Sequence, residues 1–502
     1  MNSNSKLLLE TLVSGVTLGA LGDALLRAGP WGLNLTLWVL LVTTAIFGLA
    51  LRHGIEWPRG TNLIIGLLVV FAAGFAWRAN PVLKLLDLVA LVVLATTWSL
   101  SLEGGRLRCL GLIDYVRGLL NSGTAAAVGA TVLSKKDVSL AKAPSPVAVR
   151  RARAVTLGLV MAFPLLFVFG GLLMAADAVF DRMVTTAFDV DFANLLSHAA
   201  LAAFFAWIVI GFSSLVLKLN RPLLSSLNIE KPGLGTLEIA VPLTLLNLLF
   251  LVFVVVQVRY LFGDASLVQV TVDLTYSEYA RRGFFELVTV TALALPLLLV
   301  ADWVLAGGDR RSVRTFRILG GVFLVLLFVI MASAVKRMLL YQTAYGLTDE
   351  RLYATAFMGW IGIVLTWFAA TVLRGRREAF ATGAAASGLL VILSLNVLNP
   401  DALIMKVNLE RALAGEEFDA AYATSLSGDM VPVLVPALSS LDADDRCALA
   451  THILEHWSPP AEADWRSWNH GRSKAWGIVR QETDRLEAMR CDPPTESQIL
   501  LN

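Results

Sequence analysis

Stretches of about 20 apolar residues constrain this chain more than any other feature, because that length of helix crosses a bilayer's hydrocarbon core. Such stretches recur at about 7–28, 31–51, 62–77, 82–102, 155–180, 195–217, 237–262, 283–305, 316–340, 352–373 and 379–398. Backbone N–H and C=O groups in lipid must be satisfied within the segment, so each stretch is expected to be a helix. Charged residues are only 16% of the chain against 57% hydrophobic, where a soluble domain carries about 25% charged residues. The expected fold is all-α, a polytopic transmembrane bundle of about eleven spans followed by a small helical extracytoplasmic domain. The net charge of +2 gives no argument for nucleic acid as a partner.

The first stretch is the weakest span, since Glu10 and Asp23 interrupt it. No small-residue cleavage site follows, so it reads as an uncleaved span and not a signal peptide. Residues 104–153 form a basic loop with a possible interfacial helix, because Asp114 and Arg117 lie in its most apolar part. The division is therefore 1–103 as a four-span region, 104–153 as the loop, 154–398 as a seven-span core and 399–502 as a helical tail. No internal repeat of the transporter kind is evident. Pro164, Pro242 and Pro296 fall inside spans and are expected to kink them.

Lys and Arg in the short loops set orientation. Arg52, Arg59, Arg106, Arg108, Lys135, Lys136, Lys142, Arg150, Arg151, Arg153, Lys218, Arg221, Lys231, Arg310, Arg311, Arg314, Arg317, Arg374, Arg376 and Arg377 all fall on one side of an eleven-span chain. That side is the cytoplasm; the N-terminus is then inside and everything after 398 outside. The tail helices are expected near 401–413, 442–457 and 464–489. Cys447 and Cys491 lie in this outer tail, where two thiols can pair as a disulfide.

The cations that break the inside bias sit at outer helix ends. The seventh span ends at Gln257, Arg259 and Tyr260, and the eighth begins with Glu278, Tyr279, Arg281, Arg282 and Glu286. The ninth ends at Lys336, Arg337 and Tyr341, the tenth follows Tyr345 and Arg351, and the eleventh leaves through Asn396, Asn399 and Asp401. Arg281 and Arg282 sit near a helix N-terminus, where the macrodipole disfavours cations, so the acids one turn away, Glu278 and Glu286, are their expected partners. One reading is an ion-pair network that locks helix ends together. The other is an outer vestibule that holds an anionic ligand, since paired guanidinium forks suit carboxylate or phosphate. Membrane lipids, or a lipid-linked ligand, are the partners this implies. Asp87, inside the fourth span, must face protein or water; it is either a structural hydrogen-bond partner near Lys84 or a functional carboxylate.

Other motifs have plainer readings. His452-Ile453-Leu454-Glu455-His456 matches an inverted zinc-protease pattern. A third ligand would have to come from Glu482, Glu487 or His470, and a polar helix face is the preferred reading, so no metal is assigned. The glycine pairs at 104–105, 170–171 and 307–308 lack the Lys-Ser/Thr of a phosphate loop, and no cofactor is implied. Trp457, Trp465, Trp468 and Trp476 read as core and membrane-interface anchors.

Three motifs carry a family resemblance: Glu278-Tyr279-Ala280-Arg281-Arg282-Gly283-Phe284-Phe285-Glu286-Leu287, then Ala344-Tyr345-Gly346-Leu347-Thr348 with Arg351, then Asn399-Pro400-Asp401 with Asn408 and Arg411. They resemble bacterial multi-spanning membrane proteins of the domain-of-unknown-function families 4173 and 4153. The resemblance implies an integral membrane protein and no catalytic residue. Two function classes follow. One is a non-enzymatic protein that binds an anionic or lipid-linked ligand at its outer face, for sensing, transport or envelope assembly. The alternative is a membrane-embedded enzyme acting on a lipid headgroup or lipid-linked substrate, with Glu278, Glu286 and Asp401 as the available acids. The thin supply of polar residues for a path through the bilayer (Asp87, Asn247 and Gln257) favours binding over transport.

Overall fold

The computed structural model describes residues 3–58, 60–101, 114–125, 192–219, 236–262, 284–305 and 310–491. Every regular element among them is helical. Besides the helical stretch 114–125, these are in chain order α1 (Ser3–Leu26), α2 (Leu33–Arg52), α3 (Thr61–Trp77), α4 (Pro81–Ser101), α5 (Phe192–Val216), α6 (Thr236–Phe262), α7 (Phe284–Leu305), α8 (Arg310–Tyr345), α9 (Asp349–Thr371) and α10 (Glu378–Leu398). The tail adds α11 (Pro400–Leu413), α12 (Ala420–Ser425), α13 (Val431–Ala437), α14 (Ala443–Trp457), α15 (His470–Gln481) and α16 (Thr483–Glu487).

Nine of the described helices are long and apolar enough to cross a membrane: α1, α2 and α4 to α10. This is an all-α, multi-pass membrane protein. Of the eleven expected spans, nine coincide with these helices. The third is α3, which at 17 residues is shorter, and the fifth, 155–180, lies outside the described residues. The largest difference is α8, expected over 316–340 and observed over 36 residues. At 1.5 Å per residue it is about 54 Å long, well beyond a hydrocarbon core of about 30 Å. Its charged ends, Arg310 to Arg317 and Lys336 to Arg337, flank the apolar centre and carry the helix past both edges. Pro242 and Pro296 lie inside α6 and α7.

The chain divides into two compact units, neither continuous in sequence: 1–72 with 94–104 and 116–226, and 73–93 with 105–115 and 227–502. In the first, α1 packs along α5 through glycines. A Cβ at Gly15 would overlap Ile210, one at Gly19 would overlap Ala202 and Ala206, and one at Gly22 would crowd Phe205 and Trp38. Small residues let two membrane helices approach closely, which is where their van der Waals attraction comes from. The acids that interrupt this span have partners. Asp23 is paired with Arg27 at 2.9 Å and His198 at 2.5 Å. Glu10 lies 2.9 Å from His53 and 3.4 Å from Arg52.

In the second unit α8 packs against α6, α7 and α9, burying Leu243, Leu298, Phe323, Leu327, Leu365 and Phe368. The tail helices share a core of Ile404, Met405, Met430, Leu434, Leu449, Ile453, Ala475 and Val479, which also takes in Leu347 from the α8–α9 turn. Cys447 and Cys491 form a disulfide with Cα atoms 4.9 Å apart. His452 and His456 stack on each other with ring centroids 4.1 Å apart. Among the described residues no group of three metal-ligating side chains comes together.

Candidate functional site

The polar residues of the second unit gather at two turns. The first joins α3 to α4 through Arg78, Ala79 and Asn80. Asn80 precedes Pro81, and its Oδ1 accepts the Leu83 N–H at 2.9 Å, so it caps a helix that opens with proline. The same oxygen accepts the Tyr353 hydroxyl at 3.0 Å, and Asn80 Nδ2 donates to Asp401 Oδ1 at 2.6 Å. Asp401 Oδ2 accepts the Ser427 N–H at 3.0 Å and the Ser427 hydroxyl.

Two more tail residues close on this turn. Asp429 Oδ2 accepts the Ala79 N–H at 2.7 Å. Asn469 Nδ2 donates to the carbonyls of Phe75 at 2.9 Å and Arg78 at 2.7 Å, while its Oδ1 accepts the Arg472 N–H at 3.1 Å. One side chain thus caps the C-terminus of α3 and the N-terminus of α15, where helix ends leave orphan backbone groups. Arg78 Nε donates in turn to the Asn396 carbonyl at 2.7 Å, near the end of α10. Gly471 lies so close to the Asp429 carboxylate that a Cβ there would overlap it.

Burial pushes the carboxyl pKa of Asp401 above the ordinary carboxylate range, with the bonds from Ser427 and Asn80 opposing the shift. Burial does the same to Asp429, opposed by the Ala79 N–H and the Arg78 charge. Burial also raises the Tyr422 phenol, whose oxygen accepts the Asp349 N–H at 2.7 Å.

The second turn joins α8 to α9. Gly346 holds φ +73°, a conformation that side chains rarely adopt. Asn408 clamps the next residue from both sides: its Oδ1 accepts the Leu347 N–H and its Nδ2 donates to the Leu347 carbonyl, each at 2.8 Å. Arg351 donates to the carbonyls of Tyr345 and Gly346, and Arg411 to those of Gln342, Thr343 and Ala344. Two guanidinium groups therefore satisfy the last carbonyls of α8, where cations also complement the helix dipole. Arg351 lies over the Tyr341 ring at 4.0 Å, and Tyr341 and Tyr345 are 5.3 Å apart.

The match to known proteins follows the same turns. The family profile described as Domain of unknown function (DUF4153) covers residues 65–437. The chain belongs to the DUF4153 family. Of the two families that the motifs resemble, this is the one matched. No curated protein and no solved structure matches the chain. The DUF4153 region spans both turns and Asp401, Ser427 and Asp429, while Asn469 and Gly471 lie beyond it.

The residues expected to gather at the outer face divide as follows in this DUF4153 protein. Glu278, Tyr279, Arg281 and Arg282 lie outside the described residues, as do the side chains of Arg259 and Glu286. Arg337, Tyr341 and Tyr345 follow at i, i+4 and i+8 on one face of α8, with Arg351 across Tyr341. Tyr345 is 52% exposed. Asn399 is the hinge residue between α10 and α11, with φ +56°, and Asp401 is fully buried. Asp401 and Arg411 stand about 15 Å apart along α11, at 1.5 Å per residue. Asn80, Ser427, Asp429 and Asn469 are the hub residues that sequence reading missed. Asn80-Pro81 is a recognisable helix start, and nothing local marks the other three.

Proposed function

We propose that this protein binds an anionic ligand, a lipid headgroup or a lipid-linked intermediate, at the exposed end of α8. It would do so in the bacterial cytoplasmic membrane, with the N-terminus inside and the tail outside, acting in sensing, transport or envelope assembly. The observation that carries the reading is the face made by Arg337, Tyr341 and Tyr345, with Arg351 stacked at 4.0 Å on Tyr341 and Tyr345 half in solvent. Tyrosines at such a helix end suit the headgroup level of a bilayer, and a guanidinium supplies the planar fork that phosphate takes. The Cys447–Cys491 disulfide supports an outer tail, since disulfides persist in oxidising compartments. The one-sided distribution of loop cations supports the same orientation.

Of the acids weighed for catalysis, Asp401 is fully buried with its carboxylate oxygens taken by Asn80 and Ser427, while Glu278 and the Glu286 side chain lie outside the described residues. The test is the lipid content of the purified full-length protein, read by mass spectrometry. Arg337→Ala and Tyr345→Ala should each lower co-purified anionic lipid while the protein stays folded. Arg351 is left intact because it caps α8. Unchanged lipid content in both variants would remove the reading.

A further inference from the structure

Asp87 and Asn396 meet inside the membrane-spanning part of the second unit, 309 residues apart in sequence. Asp87 is 0% and Asn396 2% exposed. Asn396 Nδ2 donates to Asp87 Oδ1 at 2.8 Å and to the Ile392 carbonyl at 3.1 Å. Two acceptors fix the amide's orientation, because a flipped amide would lose both bonds. The other two oxygens of the pair, Asp87 Oδ2 and Asn396 Oδ1, are buried and have no hydrogen-bond partner. Both face the same small space beside Gly74: a Cβ built there would overlap Asp87 Oδ2 and come 3.4 Å from Asn396 Oδ1.

Two orphaned acceptors side by side are costly as they stand, and an ionised carboxylate would add a buried charge to that cost. A single proton on Asp87 Oδ2 removes both problems. The new O–H donates to Asn396 Oδ1, and the pair closes into the two-bond ring that a carboxylic acid forms with an amide. Among the described residues no cation acts on Asp87. Lys84, one turn earlier on α4, faces Asp429 and Arg472. Arg78 is directed at the Asn396 main-chain carbonyl. From α9 the titratable group that feels Asp87 is Tyr353, itself close to Asp349 and Asp401; from α3 the facing residue is Gly74.

We propose that Asp87 and Asn396 form a proton-binding site within the membrane, in which Asp87 holds the proton at neutral pH and donates it to the Asn396 side-chain oxygen. The ligand is a proton and the site is an acid–amide pair. Gly74 keeps its wall open. Tyr353, which feels Asp87 electrostatically, donates its hydroxyl to Asn80, and Asn80 donates to Asp401.

Dicyclohexylcarbodiimide tests this on the full-length protein in bilayer nanodiscs, because it adds to protonated carboxyl groups in apolar surroundings. Peptide mass spectrometry at neutral pH should find the adduct on Asp87. The adduct should be absent in Asp87→Asn and should move to position 396 in the double variant Asp87→Asn with Asn396→Asp. The infrared difference between wild type and Asp87→Asn should contain the carbonyl band of a protonated acid, whether or not the reagent reaches the site. Asp87→Asn should melt with the wild type, since the amide is neutral like the acid it replaces. Absence of the acid band from the difference spectrum overturns the proposal. So does loss of labelling when sodium is raised at constant ionic strength, which would make the pair a cation site.

Discussion

Asn469→Asp isolates what Asn469 does at the α3–α4 turn. An aspartate caps the N-terminus of α15 at least as well as an asparagine, because the Arg472 N–H at 3.1 Å needs only an acceptor. It cannot donate to the carbonyls of Phe75 and Arg78, which Asn469 reaches at 2.9 and 2.7 Å. Each of those bonds is worth about 1 kcal/mol net, so their loss costs about 2 kcal/mol, and a buried carboxylate against two carbonyl oxygens adds to it. Asn469→Ala loses the cap as well, a further ~1 kcal/mol. Hydrogen exchange of full-length protein in nanodiscs reads the local opening of residues 470–481. A loss of about 2 kcal/mol speeds exchange there roughly thirtyfold, since about 1.36 kcal/mol is a factor of ten; alanine should reach on the order of a hundredfold. If Asn469→Asp exchanges like the wild type, the cap on α15 is all that Asn469 supplies, and the docking role assigned to it is wrong.

Three further outcomes follow from the same unit. Asp401 and Asp429 have carboxyl pKa values raised by burial, so the folded state binds more protons than the unfolded one between the ordinary value of 3.8 and the raised values. Stability is then fully present below that range and falls as pH rises through the raised values; exchange at residues 400–413 should be slower in mild acid than at neutral pH after correction for intrinsic rates. Gly471→Ala sets a methyl against the Asp429 carboxylate and should cost about 1–3 kcal/mol, read as a lower melting temperature, with Gly477→Ala, inside the same helix and meeting no neighbour, as a control that should not lower it. Breaking Cys447–Cys491 opens a loop closed over a separation of 44 residues, worth ~4 kcal/mol in the chain-entropy account; Cys447→Ser should make the tail protease-sensitive, and free-thiol counting by mass should find no reactive thiol at either position in unreduced wild type.

The spans were legible because a helix in lipid must be apolar along its whole length, a property visible in any window of the chain. Their ends were less so. α8 overran its expected limits because the charged residues that close an apolar window do not end a helix; Arg310 to Arg317 and Lys336 to Tyr345 continue the same ladder. Of the hub only Asp401 stood out, and its partners did not. Asn80 meets Asp401 across 321 residues, and Asn469 meets Phe75 across 394, distances over which no local pattern carries information. Asp87 shows the same limit at one residue. Lys84 was its nearest candidate along the chain, and its partner is Asn396 from α10.

Several polar residues at these two turns have a common physical task. Helices that end at a membrane edge leave carbonyls and amides that lipid cannot satisfy. Arg351 and Arg411 satisfy the carbonyls at the end of α8, Arg78 one at the end of α10 and Asn469 those at the end of α3. α11 serves both turns, with Asp401 in its first turn and Asn408 and Arg411 toward its last. A short amphipathic helix is thereby fixed at two points, about 15 Å apart, on the ends of four longer ones: α3 and α4 at one turn, α8 and α9 at the other. Any change that shifts α8 relative to α3 must break one of those two anchorages or carry α11 with it. α11 thereby joins the Tyr345 end of α8, held by Arg411, to Asp401 and, through Asn80, to Tyr353.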